Sequence, residues 1–348
     1  MMRMTVLASG SKGNSTVISS SRTRVLVDAG LSCRELLKRM SIAGEDPAQL
    51  DAILITHEHQ DHIAGLSVLA RRLNIPVFFT EPTHRAWVRM LTPRTTMTYA
   101  KWLDHVQQEK EARAKAVAAS DPASAAELSA QVEAIASISA EAAALNRSDD
   151  ANATFELPID PDEESLCAPQ SQQAAQKPDP TNLPAVEYFH SGTRFSIGDI
   201  DITPFTIPHD AADPCGFVFE SEGIRMALAT DLGYMPPNVK SALKRIDVLL
   251  LESNHDLEML RDGPYPWSVK QRVLSRVGHL SNHATAEFLQ KDYDGGASWI
   301  ILGHLSESNN APELARLSAE QALGNHPTLL GNRILLAHQA APLGPITL

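Results

Sequence analysis

The run Ile53-Leu54-Ile55-Thr56-His57-Glu58-His59-Gln60-Asp61-His62 constrains this chain more than any other stretch. Its apolar half reads as a buried strand, after which four groups able to ligate a metal arrive within six residues. Imidazoles at i and i+2 leave the strand end on one side and grip one ion, while Asp61 and His62 follow in the turn and reach a second. Imidazole with carboxylate suits Zn, Mn or Fe, and the lack of thiolate argues against a structural zinc site. Two ions need about seven donors, so the fold must bring further ligands to this strand end from elsewhere.

The remaining donors also follow apolar runs. Ile207-Pro208-His209 closes one, Ala227-Leu228-Ala229-Thr230-Asp231 a second, and Trp299-Ile300-Ile301-Leu302-Gly303-His304 a third. A carboxylate at Asp231 can bridge two ions. Two ions a few ångströms apart can clamp a phosphoryl group and generate hydroxide at neutral pH.

Around these donors the texture divides the chain in three. Residues 1–104 alternate short β-branched runs with turn signals and with helical segments at 32–40 and 63–73. Strands resume from 186, interleaved with helices expected at 238–245, 267–277, 283–291 and 311–323. The interleaving predicts a layered α/β architecture. Residues 105–185 differ: the first part is rich in Ala, Glu, Gln and Lys and is expected to be helical. The second is rich in Pro, Asp, Gln and Ser, and too poor in large apolar residues to offset its ordering entropy. Because strands resume afterwards, residues 1–348 read as one domain with 105–185 as an Ala/Gln/Pro-rich insertion, helical then disordered.

The net charge of −12 argues at first against a nucleic-acid partner. Segment 105–185 alone, however, holds 14 acidic and 5 basic residues, leaving 28 acidic and 25 basic elsewhere. The core is therefore nearly neutral and silent about partners. Cys33, Cys167 and Cys215 have no CxxC spacing, so no disulfide framework is expected, and Cys215 reads as a buried neutral thiol. No run of 18 apolar residues predicts a membrane span, and the chain reads as cytoplasmic.

The segments LASGSKGNST, LVDAGLS, THEHQDHIAGL, PHDAADPCGF, ATDLGYMP, LLLESNHD, GHLSN and LGHLSESNN together resemble the metallo-β-lactamase superfamily, and within it the YycJ/WalJ-type branch. The resemblance spans most of residues 4–310 apart from 105–185. It implies a four-layer αβ/βα sandwich with metals at the sheet edge. It assigns His57, His59 and His209 to one metal, Asp61, His62 and His304 to the other, and Asp231 between them. Asp61 is also implied to orient the bridging hydroxide. The branch is exonuclease-like, acting on DNA from the 5′ end, which makes DNA the expected substrate. Gly278-His279-Leu280-Ser281-Asn282 is similar to a segment of nucleolytic members that supplies a phosphate-contacting histidine, which places His279 in a catalytic role. The alternative at this segment is a helix cap formed by Ser281 or Asn282.

Further positions read as substrate-binding or supporting. The Gly/Ser loop at 9–15 either brings Ser11, Lys12 and Asn14 toward a phosphate or is a plain hairpin turn, Asn254 and His255 follow a strand into the pocket wall, and Asn282 joins His279. Asp28, after the strand at 24–27, is expected to brace the metal loop by hydrogen bonds. Arg272 and Arg276 share a helix face at i, i+4, which reads as a solvated face rather than a nucleic-acid track. Two other functions compete with the nuclease: a small-molecule phosphodiesterase or thiolester hydrolase on the same metals, and an interaction protein whose insertion binds a protein partner. GHLSN favours the phosphodiester.

Overall fold

Alternation along the strands decides the layering of this protein. In β3 (Arg24–Val27), Val25 and Val27 face one way and Leu26 the other, yet all three are buried. The same holds for β13 (Val248–Glu252), with Val248 and Leu250 on one face and Leu249 and Leu251 on the other. Strands apolar on both faces must be covered on both. In the computed structural model, which describes residues 1–92, 97–98, 154–155, 179–324 and 331–348, the cover is a second sheet inside and helices outside.

The first sheet contains β1 (Arg3–Ala8), β2 (Ser15–Ser19), β3, β4 (Ala52–Leu54), β5 (Val77–Phe79), β8 (Val186–Tyr188) and β16 (Ile346–Thr347), in the order β16-β1-β2-β3-β4-β5-β8. The second contains β9 (Phe195–Ile197), β10 (Ile200–Thr206), β11 (Cys215–Ser221), β12 (Ile224–Ala229), β13, β14 (Trp299–Gly303) and β15 (Arg333–Leu336), in the order β15-β14-β13-β12-β11-β10-β9. Each sheet joins antiparallel hairpins to a parallel run, β3-β4-β5-β8 in one and β12-β13-β14-β15 in the other.

Val25, Val27 and Leu54 meet Phe217, Met226 and Leu250 between the sheets. Leu26 and Ile53 pack outward on α1 (Cys33–Ile42), α3 (Leu66–Leu73) and α4 (Glu81–Leu91). Leu249 and Leu251 pack on α5 (Pro237–Ala242), α8 (Asn282–Lys291) and α9 (Pro312–Leu323). The result is the expected four-layer sandwich. Among the described residues no helix is long and apolar enough to cross a membrane.

Several boundaries depart from expectation. The helix expected at 63–73 is two, α2 (Gln60–Ile63) and α3, because Gly65 donates its amide to Ala29 instead of continuing the ladder. Helix α7 (Trp267–Val273) stops short of 277, where the chain turns toward Gly278. Helices α4 and α6 (Leu257–Asp262) were not anticipated, although Asp256 caps α6 through the amides of Glu258 and Met259. Most of 105–185 lies outside the described residues; of it, β7 (Thr154–Phe155) pairs with β6 (Met97–Thr98). Residues 179–185, expected to lack order, are held: Ser67 and Arg71 of α3 bond the carbonyls of Pro180 and Asp179, and Leu183 packs on the outer core. Compact units fall at Met1–Leu91 with Gln176–Leu348, and at Thr92–Ala175.

Asp199, in the β9–β10 turn of the second sheet, bonds the β2–β3 turn of the first. It accepts from Ser20 Oγ and Thr23 Oγ1, both at 2.6 Å. These bonds hold its carboxyl down at about 2. A carboxylate depressed on folding contributes stability above its unfolded pKa and loses it as pH falls through the folded value. Asp199→Asn is therefore expected to lower the urea midpoint at pH 7, with the gap to the parent closing as pH approaches about 2. Urea titrations across that range check this, and a gap independent of pH would remove the charge as its cause.

Candidate metal centre

The carboxyl ends of the parallel strands of both sheets converge at one edge. Asp28 follows β3, the loop 56–62 follows β4, Asp231 follows β12, Glu252 ends β13 and His304 follows β14. His209 comes from the end of the antiparallel β10. The loops of the two sheets are tied directly: Cys215 donates its amide to Thr56 O (3.1 Å), and Glu58 Oε1 accepts from Ala212 N (2.9 Å). A Cβ on Gly30 would stand 1.6 Å from the carbonyl of Asp61, so only glycine lets that turn lie beneath the loop. Asp28, Asp231 and His304 have left-handed backbones, with φ of 61°, 65° and 54°. Aspartate and histidine tolerate this conformation better than most residues, and strained backbones of this kind gather at functional sites.

Proton accounting shows what the cluster holds. Thr56 Oγ1 gives its single proton to Asp28 Oδ2 (2.9 Å), so it accepts from His57 Nδ1 (3.0 Å). His59 Nε2 donates to the carbonyl of Asp210 (3.2 Å), and His209 Nδ1 to that of Gly278 (3.2 Å). The inward nitrogens of these three rings are then all bare. Nevertheless His57 Nε2 and His59 Nδ1 lie 3.1 Å apart, and His209 Nε2 and His59 Nδ1 3.2 Å. Three lone pairs at that spacing repel unless a cation sits among them, and about 3.3 Å is expected for nitrogens sharing one tetrahedral ion. Burial, reinforced by the neighbouring imidazoles, pushes His57 well below the usual histidine range and keeps it neutral.

The second group follows the same rule. His62 Nδ1 donates to Asp28 Oδ2 (2.8 Å) and His304 Nδ1 to Glu252 Oε1 (3.1 Å), turning both Nε2 atoms inward. His62 Nε2 lies 3.5 Å from Asp61 Oδ2, and His304 Nε2 lies 3.6 Å from the same oxygen. Asp231 stands between the groups, with Oδ1 3.5 Å from His304 and 3.9 Å from His209, and Oδ2 3.5 Å from His62. These are too long for good hydrogen bonds, and Asp231 Oδ2 and His304 Nε2 are buried with no hydrogen-bond partner. Burial opposes charge on His304, yet Asp231, Asp61 and Glu252 draw it up to about 10. Burial likewise opposes charge on Asp61, but His62 and His304 hold it far below the carboxylate range. The residues present thus fit divalent cations.

His279 lies at the same centre, its ring 5.2 Å from His209 and 5.1 Å from His304, with Nδ1 donating to Glu252 Oε1 (2.7 Å). Ser281, not Asn282, caps α8. A cavity of about 330 Å³ opens here, lined by Ser11, Asp61, Asp231, His279 and His304 among others. Three residues expected to meet substrate do not line it. Asn14 is buried, its amide bonded to Gly10 and 3.1 Å from both Asp61 and His62. Asn254 donates to the carbonyl of His304, and Asn282 is spent on Ser253 and Asn310. Their polar atoms are consumed in framing the ligand loops. His255 is likewise buried away from the cavity. Lys12 pairs with Glu307 at 2.5 Å, and buried Cys215 has its thiol pushed up to about 12 by burial.

Glu252 was missed. It is fully buried and takes four donors: His279, His304, and the amides of Leu232 (2.6 Å) and Leu280 (3.2 Å). Its only signal in the sequence was a carboxylate ending an apolar run, the pattern that identified Asp231. Because it orients two imidazoles, Glu252→Gln is expected to weaken metal binding about 10- to 100-fold. Zinc titration against a chelating dye reads this directly, and an unchanged affinity would reduce Glu252 to a packing residue.

A model of the metallo-beta-lactamase superfamily matches residues 8–113, and one of the beta-lactamase superfamily domain matches 162–304. The chain is 31% identical over 316 residues to the exodeoxyribonuclease WalJ of Streptococcus pneumoniae serotype 2 (strain D39), covering 91% of this chain and 86% of that one. It is 30% identical over 322 residues to the exodeoxyribonuclease YycJ of Bacillus anthracis, covering 92% and 89%. Among solved structures it is similar to the metallo-beta-lactamase fold protein YhfI from Bacillus subtilis. That match has a TM-score of 0.55 and 13% identity, and covers 98% of each chain.

Proposed function

Because this chain belongs to the metallo-beta-lactamase superfamily, within its WalJ/YycJ branch, we propose that it is a metal-dependent exonuclease that removes nucleotides from the 5′ end of DNA. The observation that carries the reading is the convergence of five imidazoles with Asp61 and Asp231 beside His279, in a chain so similar to two exodeoxyribonucleases. On the same reading residues 1–348 are one hydrolase domain interrupted by 105–185. A cytoplasmic setting accords with the free buried thiols of Cys33 and Cys215.

We assign His57, His59 and His209 to one ion, Asp61, His62 and His304 to a second, and Asp231 to both, with Zn, Mn or Fe suited to the set. Divalent ions in such a site supply Lewis acidity toward phosphoryl oxygens and activate water at neutral pH. Asp61, fully ionised and exposed on the cavity side, accepts a hydrogen bond from the attacking water and orients it. His279 does the complementary work. Its Nδ1 is committed to Glu252, which leaves Nε2 as the nitrogen that contacts the leaving oxygen.

Metal-stripped protein reloaded with Mn or Zn is expected to shorten 5′-labelled DNA one nucleotide at a time. Asp61→Ala/His62→Ala should lose this activity, and His279→Ala should lose about 10²- to 10⁴-fold in rate. Denaturing gels of 5′- and 3′-labelled single and double strands check the polarity and the metal. Turnover of bis-p-nitrophenyl phosphate with every DNA left intact would move the substrate to small phosphodiesters.

A further inference from the structure

Residues 267–277 carry Lys270, Arg272 and Arg276 and no acidic residue, in a chain whose acidic residues outnumber its basic ones by 42 to 30. The first part of this stretch is α7, which buries no residue, so no apolar core fixes its place. Its C-terminal turn is held by the ligand loops instead. Asp210 donates its amide to Val277 O (3.2 Å), and His209 Nδ1 donates to Gly278 O (3.2 Å). A Cβ on Gly233 would stand 2.2 Å from the carbonyl of Arg276, so the loop after Asp231 lies flush against the turn.

The two arginines are each fixed to one of those loops, by different means. Arg272 lines the metal cavity and donates Nε to Asp210 Oδ2 (2.5 Å), beside His209. Among the described residues its terminal nitrogens carry no hydrogen bond. Arg276 does not line the cavity; its guanidinium lies over the ring of Tyr234, 4.2 Å from the centroid, in the loop after Asp231. A ring face attracts the charge without accepting a conventional hydrogen bond, and among the described residues no N–H of this guanidinium has an acceptor. Asp210 offsets part of the charge on Arg272, whereas no carboxylate pairs with Arg276 among the described residues. Lys270 is directed elsewhere, to the carbonyl of Arg261 (2.6 Å). A guanidinium already held in place loses little freedom when its planar fork meets a phosphate.

We propose that Arg272 and Arg276 form a clamp on the phosphate backbone of DNA, Arg272 at the cavity and Arg276 outside it, holding the polymer beside the linkage being cut. The proposal rests on the nuclease reading and deepens it by naming the contacts that favour a polymer over a small phosphodiester. Asp61, Asp210 and Asp231 line the cavity, so away from bound ions its walls repel a polyanion, and attraction must come from the rim. A small phosphodiester has one phosphate, which the metal centre takes. A polymer offers further phosphates to the arginines. Such contacts set the position of the strand without reading its sequence.

The test is the salt dependence of binding by the Mn-loaded protein, followed by fluorescence anisotropy from about 50 to about 200 mM salt. The probe is a labelled DNA duplex whose terminal linkages are cleavage-resistant phosphorothioates. Each phosphate neutralised adds about 0.9 to the slope of log Kd against log salt. Arg276→Ala is expected to lower the slope by about 0.9 and weaken binding about tenfold, equally for duplexes of different sequence. Arg272→Ala should do the same, and the two losses of slope should add. Arg276→Lys should keep the slope and lose part of the affinity, because the charge stays and the fork is gone. A chelating dye reads the metal content of each variant, so that a lost centre is not mistaken for a lost clamp. A slope unchanged in Arg276→Ala would overturn the clamp. Cleavage of ordinary DNA is read in parallel. A parent protein that binds DNA through both arginines but never cuts it sinks the nuclease reading and leaves the clamp. One that cuts DNA with a slope indifferent to the arginines sinks the clamp and leaves the reading.

Discussion

The structure depends on where five imidazoles send their protons. Thr56, Asp28, Glu252 and the carbonyls of Asp210 and Gly278 each accept one, on the side away from the centre. The inward nitrogens of His57, His59 and His209 are thereby left bare, and such a cluster in a buried place is unfavourable until a cation occupies it. Two of the acceptors are buried carboxylates at the ends of central strands, Asp28 in one sheet and Glu252 in the other. The sandwich can thus be seen as a device that delivers outward acceptors to one edge and holds them still.

Glu252 also joins binding to chemistry. One oxygen, Oε1, accepts from both His304 and His279, so a single carboxylate orients both imidazoles. The loop after His279 then leads into α8, whose cap at Ser281 keeps the imidazole at a helix start. Upstream, the same loop closes on α7. His279 and the cavity wall therefore lie on one continuous stretch of backbone, and a shift in one is felt by the other.

Much of this was legible in the sequence because each donor follows an apolar run, and a strand end is where a side chain leaves the sheet. The layers were legible for a similar reason, since runs such as Val248-Leu249-Leu250-Leu251 can be buried only between two covers. The direction of a polar side chain after a strand was not. Asn14, Asn254 and Asn282 sit in the expected loops, but their amides turn into the framework, where buried carbonyls and hydroxyls claim them first. Glu252 was hidden by its position inside the strand pattern, and α4 and α6 by capping residues, Thr80 and Asp256, that read equally well as turn residues. Arg272 read as one charge on a solvated face, because helical spacing says which residues share a face and not what that face meets.

His57 and His59 follow a strand of the first sheet, while His209 follows a strand of the second, some 150 positions later in the chain. On the proposed assignment an ion shared among them would cross-link the sheets, comparable to a disulfide in restraining the unfolded chain but formed by reversible bonds. On that assignment heat resistance would rise with free metal concentration by mass action rather than reside in the apolar layers alone.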